Sequence, residues 1–329
     1  MSGPRVSVLL PVRDEEPYLA ECLDSLSAQT LADFEVVVVD DGSTDASPAI
    51  AAEHARGDSR FRVLRQEPAG MVDASERARL EAQAPLTARM DADDVALPER
   101  LELQVAAIEE EGLAAVGGQV EYFPEPTDGM RAYADWLNSL VTVAAALRDL
   151  WVECPLPGPG LMASAELLSY RDRGWPEDYD LVLRIWEGGG RFRNVDALVH
   201  RWRDHPERLT RTQPAYALDA FRRCKVHFLR RTLLADSRAA VVWGAGPTGK
   251  AFARELLAAG TPLEAFVEVD PRKLGKRIHG APVVPVERAA DFPGTLALGA
   301  VSGPEGRARV RELAAGLGFT DGVDFVAVA

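Results

Sequence analysis

Short apolar runs and helical patterns alternate along the N-terminal half of the chain. The runs cover residues 6–10, 34–39, 61–64 and 86–90. A helical stripe at i, i+3, i+4, i+7 spacing follows the first run, and its positions are Leu19, Cys22, Leu23 and Leu26. Continuous apolar strands in strand–helix–strand order indicate a mostly parallel sheet with helices on both faces, so this half is predicted to be α/β.

The order is less regular over residues 113–210 and becomes regular again towards the C-terminus. The middle part is predicted to hold a sheet segment, helices, a Pro- and Gly-rich loop and a further helix, at residues 116–123, 133–151, 154–160 and from Pro176. One long helix is predicted at 214–234, and a strand at 239–243 opens a second strand–helix–strand pattern. The predicted parts are an α/β domain, a linker helix and a second, small α/β domain, at residues 1–210, 211–237 and 238–329.

Composition narrows the class of protein. A formal net charge of −14 over 329 residues, with no basic stripe, argues against nucleic acid as a partner. Cys22, Cys154 and Cys224 are far apart, which indicates a reducing compartment without a disulfide framework. We find no signal peptide and no apolar run long enough to span a membrane. The sequence therefore predicts a soluble, cytoplasmic protein that is still able to visit a membrane surface.

One acidic stretch is the most informative feature of the chain. Asp91-Ala92-Asp93-Asp94 directly follows the fourth apolar run and precedes Pro98, where a helix is predicted to begin. Carboxylates at i and i+2, at the carboxyl end of a strand, can converge on one divalent cation that prefers hard oxygen ligands. The alternative is that these acids only complement the positive N-terminus of the next helix.

Four motifs in a fixed order carry a family resemblance. They are Val8-Leu9-Leu10-Pro11-Val12 with Glu15-Glu16, Val37-Val38-Val39-Asp40-Asp41-Gly42-Ser43-Thr44-Asp45, Arg89-Met90-Asp91-Ala92-Asp93-Asp94, and Pro176-Glu177-Asp178-Tyr179-Asp180-Leu181. Over about residues 5–210 the chain resembles the family-two glycosyltransferases with the GT-A fold. The resemblance implies a nucleotide-sugar-binding domain, a nucleotide-diphosphate sugar donor of the UDP type, and Mn²⁺ or Mg²⁺ as cofactor.

The resemblance assigns roles at the donor end of the site. Asp93 is expected to be the direct metal ligand, and Asp91 to bond the ribose or to assist the metal. Asp41 is expected to accept the ring N–H of the base. For Asp40 the alternative, a role in the turn that follows it, weighs as much. The remaining residues expected in the nucleotide pocket are Pro11, Arg13 and Glu15.

At the acceptor end, the resemblance implies that Asp178 is the general base of an inverting transfer, with Glu177 orienting its neighbours. The alternative is that both acids complement the dipole of a helix in its first turn. His205 resembles a histidine near the end of the domain in many relatives, which approaches the donor phosphates or the metal. The alternative is that His205 is a surface histidine without such a role. Trp175 either stacks on a sugar or packs in a core. Three arginines lie near His205 in the sequence: Arg201, Arg203 and Arg208. They either help to bind the diphosphate or form a solvated basic face.

The chain departs from the family pattern at three places. Asp14 stands where an asparagine is usual, and Ser75-Glu76-Arg77 replaces a small-residue and asparagine pattern. Leu156-Pro157-Gly158-Pro159-Gly160 occupies a stretch where relatives often carry a polar acceptor-side segment. The first two affect the details of donor binding, and the third affects the identity of the acceptor.

The second α/β pattern has a glycine-rich turn between its first strand and helix. Gly244, Gly246 and Gly249 suit a phosphate at a helix N-terminus, and Glu268 or Asp270 after the next strand suits a ribose. This resembles the small Rossmann-like domains appended to sugar-modifying enzymes. NAD(P) or another nucleotide is the ligand it would take, and a regulatory or oligomerisation module is expected. The alternative is that the glycines only allow tight helix–strand packing.

The predicted linker helix is basic and amphipathic. Its basic residues are Arg222, Arg223, Lys225, Arg230 and Arg231. Such a helix can contact anionic lipid where a lipid-linked acceptor lies, or it can present a solvated basic face.

These patterns together predict a metal-dependent, inverting glycosyltransferase that uses a nucleotide-diphosphate sugar and a glycan or lipid-linked acceptor in cell-surface polysaccharide or glycolipid synthesis. One alternative is an NAD-dependent oxidoreductase led by the C-terminal domain, although no catalytic His, Tyr or Lys constellation follows the glycines. The other is a nucleotide-binding regulatory protein without transferase activity.

Overall fold

The computed structural model describes residues 3–329, which divide into two compact units. Unit 1 comprises residues 3–146, 155–173 and 177–212, and unit 2 comprises residues 147–154, 174–176 and 213–329. The helices are α1 Leu19–Ser27, α2 Ser47–Gly57, α3 Met71–Glu81, α4 Arg100–Glu111, α5 Asp128–Asn138, α6 Val143–Asp149, α7 Glu177–Glu187, α8 Leu209–Thr212, α9 Leu218–Arg231, α10 Pro247–Ala258 and α11 Pro304–Gly316. The strands are β1 Val6–Val12, β2 Phe34–Asp40, β3 Phe61–Arg65, β4 Leu86–Arg89, β5 Val95–Ala96, β6 Ala115–Phe123, β7 Met162–Ser164, β8 Phe192–Arg203, β9 Ala240–Trp243, β10 Leu263–Glu268, β11 Arg277–Ile278, β12 Ala281–Pro285, β13 Leu296–Gly299 and β14 Phe325–Ala327.

Unit 1 is built on a mostly parallel sheet in the order β3-β2-β1-β4-β7-β6-β8-β5. The strands β1, β2, β3 and β4 are parallel to one another, while β7 is antiparallel to both β4 and β6. Every residue of β1 is buried, which is why its run is apolar rather than alternating. The predicted α/β class of this part, with its mostly parallel sheet, is confirmed.

The helix that follows β1 shows how local pattern becomes packing. The predicted stripe of α1 is fully buried against the sheet, at Leu19, Cys22, Leu23 and Leu26. Burying an aliphatic side chain stabilises the fold by about 1.5–3 kcal/mol, so this stripe fixes the helix on the sheet.

The irregular middle of the chain contains a long strand that the sequence pattern did not predict. β8 pairs in parallel with β6 from Ala115↔Phe192 to Phe123↔Arg203, with irregular register around Gln119. Exposed and buried residues do not alternate regularly along β8. One reason is that His200 and the backbone N–H of Arg203 contact Asp94 in the acidic turn. The alternation of a simple strand is therefore absent.

Unit 2 carries its own sheet, in the order β11-β12-β10-β9-β13-β14. All neighbouring pairs are parallel except β11 with β12. The chain runs outwards from β9 in both directions, so the loops after β9 and β13 lie side by side at the carboxyl edge. The helix predicted at 214–234 is shorter in the structure: a 3-10 turn, Pro214–Tyr216, precedes α9, because Ala217 between them is extended with ψ 151°.

Candidate functional site

The predicted site residues of unit 1 gather at the carboxyl edge of its sheet. The backbone N–H of Asp41 donates to Val12 O at 2.8 Å, and that of Met90 donates to Leu9 O at 3.0 Å. These bonds extend the parallel pairing of β1 with β2 and β4 to the last residues of each strand. The loops that carry the acidic motifs therefore start from one edge.

Three carboxylates of the turn after β4 converge. The oxygens of Asp91, Asp93 and Asp94 lie within 4.8 Å of one another, and their side chains are 30%, 15% and 0% exposed. Both oxygens of Asp94 are engaged inside the protein, with His200 Nε2 at 2.8 Å and with the backbone N–H of Arg203 at 2.7 Å. Asp91 and Asp93 are thus the two carboxylates that face the edge of the sheet with exposed oxygen surface.

Carboxyl groups at and near the acidic turn have raised pKa values. Burial first, and then the charge of Asp94, raises the pKa of Asp93. Burial first, and then Asp91, raises the pKa of Asp94 well above its usual range. Nearby Glu15 has its pKa raised to about 8, by burial first and then by Asp93 and Asp91. Clustered hard oxygen donors that repel one another fit a divalent cation such as Mn²⁺ or Mg²⁺.

His205 is brought to the same turn. Its Nε2 lies 2.9 Å from Asp93 Oδ2 and its Nδ1 lies 3.2 Å from a carboxylate oxygen of Glu207. Its ring is tilted against the ring of Tyr18, with centroids 5.2 Å apart. The contact with Asp93 places His205 at the predicted metal site and not on a remote part of the surface.

The arginines near His205 differ in what they contact. Arg203 donates from Nε to the carbonyl oxygen of Asp93 at 2.7 Å, and its guanidinium lies over the ring of Phe123 at 4.3 Å. Arg208 lies over the ring of Trp202 at 4.9 Å. Arg201 instead pairs with Glu121 at 2.7 Å, and these two side chains are 36% and 48% exposed. Arg203 therefore supports the acidic turn, whereas Arg201 belongs to the solvated face.

Asp41 organises the loop opposite the acidic turn. Its Oδ1 accepts hydrogen bonds from Gln66 Nε2 at 2.8 Å and from the backbone N–H of Ala69 at 2.7 Å. Its Oδ2 accepts from the backbone N–H of Gly70 at 2.8 Å, and Arg13 Nη1 lies 3.6 Å away. A carboxylate has about four acceptor positions, and these hydrogen bonds with the loop use three of them; the Asp41 side chain is 3% exposed, with Arg13 beside Oδ2.

The first loop is joined to the second by polar contacts. Asp14 has a left-handed backbone, φ 54°, and its Oδ1 accepts from the backbone N–H of Thr44 at 2.8 Å. Asparagine and aspartate tolerate this conformation best, which explains why Asp14 can stand in for the usual asparagine. The backbone N–H of Glu15 donates to Ser47 Oγ at 2.9 Å. Pro11 is buried within β1 beside these contacts.

Asp40 has the turn role that was weighed against nucleotide binding. Its Oδ1 accepts from the backbone N–H of Ser43 at 3.0 Å, and its Oδ2 pairs with Arg65 Nε at 3.2 Å. The Asp40 side chain is 2% exposed, so its carboxylate contacts protein groups and not solvent.

Arg89 connects the acidic turn to the start of α7. Its Nη1 donates to Glu177 Oε1 at 2.5 Å and its Nε donates to Asp91 Oδ1 at 3.0 Å. The side chains of Arg89 and Glu177 are each only 5% exposed. Asp178 follows Glu177 and is half-buried, with Oδ1 accepting from the backbone N–H of Tyr179 at 2.7 Å. The candidate base is thus one residue from an ion pair that reaches the candidate metal turn.

The Pro- and Gly-rich loop turns out to face Asp178. Its residues Gly158–Gly160 form a 3-10 turn, and a Cβ at Gly158 would lie 2.6 Å from Asp178 Oδ2. The missing side chain therefore makes room for the carboxylate. This is the stretch where the sequence departs from the family pattern.

Sequence reasoning missed the buried polar residues beneath this edge. Arg100, Gln104 and His200 have no exposed surface. Burial first, and then Arg100, lowers the pKa of His200 to about 3, so its ring is neutral. The only signal for Arg100 and Gln104 is that two polar residues at i, i+4 interrupt the buried apolar face of α4 beside Leu101 and Val105.

The glycine-rich turn of unit 2 is packed tightly against the helix that follows it, as the packing alternative for its glycines requires. Gly244 has φ 105°, and a Cβ at Gly249 would lie 1.9 Å from Gly244 O, whereas one at Gly246 would meet nothing within 4 Å. Glu268 accepts from the backbone N–H of Ala245 at 3.0 Å. Asp270 is instead paired with Arg272 at 2.9 Å. Glu268, not Asp270, is the acid in contact with the turn.

Two further expectations concern residues of unit 2. Trp175 lies against the ring of His227, with centroids 5.2 Å apart. In the basic helix α9, Phe228 and Leu229 are buried and Lys225 Nζ donates to Val152 O at 2.6 Å. These two apolar side chains are therefore packed inside the protein, whereas Leu218 at the start of the helix is exposed. Among residues 3–329, no helix combines the length and the apolar character needed to cross a membrane.

Comparison with known proteins agrees with this geometry. Residues 7–167 match the family Glycosyl transferase family 2. The chain is 28% identical over 226 residues to "Uncharacterized glycosyltransferase EpsJ" of Bacillus subtilis (strain 168), an alignment that covers 66% of this chain and 66% of that relative. The chain thus spans slightly less than two thirds of that relative's length.

Two solved structures share the fold. TarS 1-349 of S. aureus in complex with UDP-GlcNAc has a TM-score of 0.57 at 19% identity, covering 77% of this chain and 71% of that fragment. The mannosyltransferase PcManGT of Pyrobaculum calidifontis, in complex with GDP-Man and Mn²⁺, has a TM-score of 0.53 at 18% identity, covering 98% of this chain and 83% of PcManGT. At these identities the likeness concerns the fold, which is that of GT-A glycosyltransferases. Residues 7–167 of this chain are therefore similar to glycosyltransferase family 2, within a fold like that of GT-A glycosyltransferases.

Proposed function

We propose that this chain transfers a sugar from a nucleotide-diphosphate sugar, of the UDP type, to an acceptor hydroxyl with inversion at the anomeric carbon. The observation that carries the proposal is the link from Asp91 through Arg89 to Glu177 and Asp178. This link connects the acidic turn, the proposed site of the metal and the diphosphate, with the carboxylate that is proposed to accept the proton. Complexes of TarS with UDP-GlcNAc and of PcManGT with GDP-Man and Mn²⁺ support a donor of this class.

Asp93 and Asp91 are the residues that would hold a divalent cation in this proposal, with Asp94 keeping the turn in shape through His200. Such a cation would supply Lewis-acid neutralisation of the charge that grows on the diphosphate. His205, in contact with Asp93, is proposed to lie beside the same phosphates.

The nucleotide is proposed to lie between the first and second loops. Asp41 is proposed to accept the ring N–H of the base, and its bonds to the loop hold its carboxylate in place. Arg13, half-exposed beside Asp41, faces the same space. Pro11 and Glu15 complete the pocket from the end of β1, with Glu15 held by Ser47.

Asp178 is proposed to be the general base. The acceptor oxygen forms a bond to the anomeric carbon as the bond from that carbon to the diphosphate oxygen breaks. The acceptor proton passes to a carboxylate oxygen of Asp178, and the bonding electrons leave with the nucleoside diphosphate. Glu177, held by Arg89, fixes the backbone next to Asp178.

The acceptor is proposed to be a glycan or lipid-linked hydroxyl in cell-surface polysaccharide or glycolipid synthesis, the usual setting of the family. Phe228 and Leu229 of α9 are buried, and the exposed arginines, Arg230 and Arg231, form a solvated basic face in this proposal. Contact with a membrane would then be electrostatic, and binding to anionic vesicles that persists at high salt would contradict it.

Unit 2 is proposed to be a Rossmann-like binding or assembly module. The φ of Gly244 and the contact of Gly249 with Gly244 O support a phosphate turn, while the bond of Glu268 to Ala245 stabilises the turn without a ligand. Since Gly246 has open space around it, Gly246→Ala should leave the fold intact and weaken binding of NAD(H) or a nucleotide. Equal affinity in titrations of both proteins would contradict a ligand at this turn.

The decisive experiment is a thermal-shift panel of nucleotide sugars with and without Mn²⁺. A ligand at a hundredfold its dissociation constant adds about 2.7 kcal/mol of stability, which such an assay detects. We expect a UDP-sugar to stabilise the protein only with the metal, and turnover to follow with a suitable acceptor. Hydride transfer from bound NAD(H) would favour the oxidoreductase instead, and donor binding without hydrolysis or transfer would favour a regulatory protein.

A further inference from the structure

Arg100 lies in the first turn of α4 and has no exposed surface. A buried guanidinium needs hydrogen-bond acceptors, because an unpaired buried charge is strongly unfavourable. Its Nη2 donates to the carbonyl oxygen of Pro159 at 3.0 Å and also to that of Arg89. Arg89 ends β4 directly before the acidic turn, and Pro159 belongs to the 3-10 turn that faces Asp178. One side chain thus bonds both halves of the candidate site.

A second path leads from Arg100 to the acidic turn. Arg100 Nη1 lies 3.4 Å from His200 Nδ1, and a guanidinium can only donate, so this ring nitrogen is the acceptor. The proton of the neutral ring is then on Nε2, which donates to Asp94 Oδ2 at 2.8 Å. Asp94 is also held by the backbone N–H of Arg203 at 2.7 Å, so the acidic turn does not depend on Arg100 alone.

The 3-10 turn is held at a second carbonyl by Gln104. Its Nε2 donates to Gly160 O at 2.6 Å, and its Oε1 accepts from Arg100 Nε at 3.3 Å. Two adjacent carbonyls of the turn, those of Pro159 and Gly160, thus accept hydrogen bonds from side chains of α4. On its other side, Gly158 leaves so little room that a Cβ would meet Asp178 Oδ2 at 2.6 Å. The place of the carboxylate therefore depends on the place of the turn.

We propose that Arg100 is a positioning residue for the transfer step, because it fixes the Gly158 turn, and with it Asp178, relative to the acidic turn. This deepens the proposed function and rests on Asp178 being the general base. A misplacement of about 1 Å at reacting groups can cost on the order of a hundredfold in rate, so the anchor acts on turnover and not on donor affinity.

The test is steady-state kinetics of Arg100→Lys, since an ammonium cannot reproduce the fork that reaches both carbonyls. We expect kcat to fall by about tenfold or more while the donor KM changes by less than about twofold. Gln29→Met is the matched control: buried Gln29 donates to Leu97 O at 2.8 Å and accepts from the backbone N–H of Leu101 at 3.1 Å. It loses buried hydrogen bonds at the same helix start without touching the Gly158 turn.

Gly158→Ala is the second variant, and it should show the same loss of kcat with unchanged donor KM. If Arg100→Lys does not fold, Gly158→Ala decides alone. Wild-type kcat in either folded variant overturns the proposal, as does a kcat loss in Gln29→Met equal to that in Arg100→Lys at the same drop in Tm. Full turnover in Asp178→Asn would instead overturn the base assignment of the proposed function.

Discussion

Replacing Glu177 by methionine should destabilise the protein by about 3–5 kcal/mol, the usual cost of removing one partner of a buried ion pair. Arg89 Nη1 and Glu177 Oε1 are 2.5 Å apart, and each side chain is 5% exposed, so water cannot replace the lost carboxylate. The other acid near Arg89, Asp91, is 30% exposed and 3.0 Å away, so it offsets only part of the loss. Arg89→Met should cost a similar amount, because it leaves Glu177 buried without its cation.

The double variant Arg89→Met/Glu177→Met should be far more stable than the sum of the singles predicts. A buried ion pair and a well-packed apolar pair differ little in stability, so most of the loss should be recovered. Urea unfolding followed by circular dichroism gives the free energies, and equal m-values across the four proteins establish that they are comparable. The coupling energy should be several kcal/mol.

Turnover should not recover with stability. In the wild type, Arg89 joins Asp91 to the residue before Asp178, and the double variant has no such link. Single variants that each cost less than about 1 kcal/mol, or costs that simply add, would refute the assignment of a buried pair. Wild-type turnover in the double variant would show that the link does not serve the reaction.

Four other outcomes can be measured independently. Asp93→Ala should abolish the Mn²⁺-dependent part of donor binding, and unchanged affinity in manganese titrations would remove its role as ligand. Asp178→Asn should keep donor affinity but lose transfer, which isothermal titration and a product assay separate. Gly249→Ala should destabilise unit 2 by about 1–3 kcal/mol or more, since its Cβ would lie 1.9 Å from a backbone oxygen, while thermal melts of Gly246→Ala should match the wild type. Burial lowers the pKa of Lys225 from 10.5 to about 8, so the unfolded chain binds more protons between these values and stability should rise with pH there by about 3 kcal/mol at most. Lys225→Met should lack that rise in pH-dependent urea titrations.

The acids of the site could be predicted from sequence because each of them follows an apolar run that marks a strand. Apolar runs locate β1, β2 and β4, and parallel strands end at a common edge. Any acid that directly follows such a run is therefore brought near the others. Asp91, Asp93 and Asp41 were placed in this way, and the order of their motifs indicated the family.

Other features could not be predicted from the sequence, because long-range contacts decide them. The strand β8 has no simple alternation because some of its residues contact the acidic turn, as His200 does through Asp94. The pattern of α9 left a lipid surface and a solvated basic face open, and only the structure shows that Phe228 is buried within unit 2. The sequence offered both Glu268 and Asp270 after β10, and only the structure shows that Glu268 bonds the glycine turn.

The sequence by itself determined the parallel sheet of unit 1 and the acids along its edge, since hydrophobic periodicity and neighbouring residues specify both. Only the tertiary structure decided which acids are engaged inside the protein: Asp94 bonds His200, far along the chain, while Asp91 bonds nearby Arg89 and stays partly exposed. It also decided that Arg100 bonds a turn 59 residues further along the chain. Such contacts depend on how distant segments pack, and no local pattern of residues encodes them.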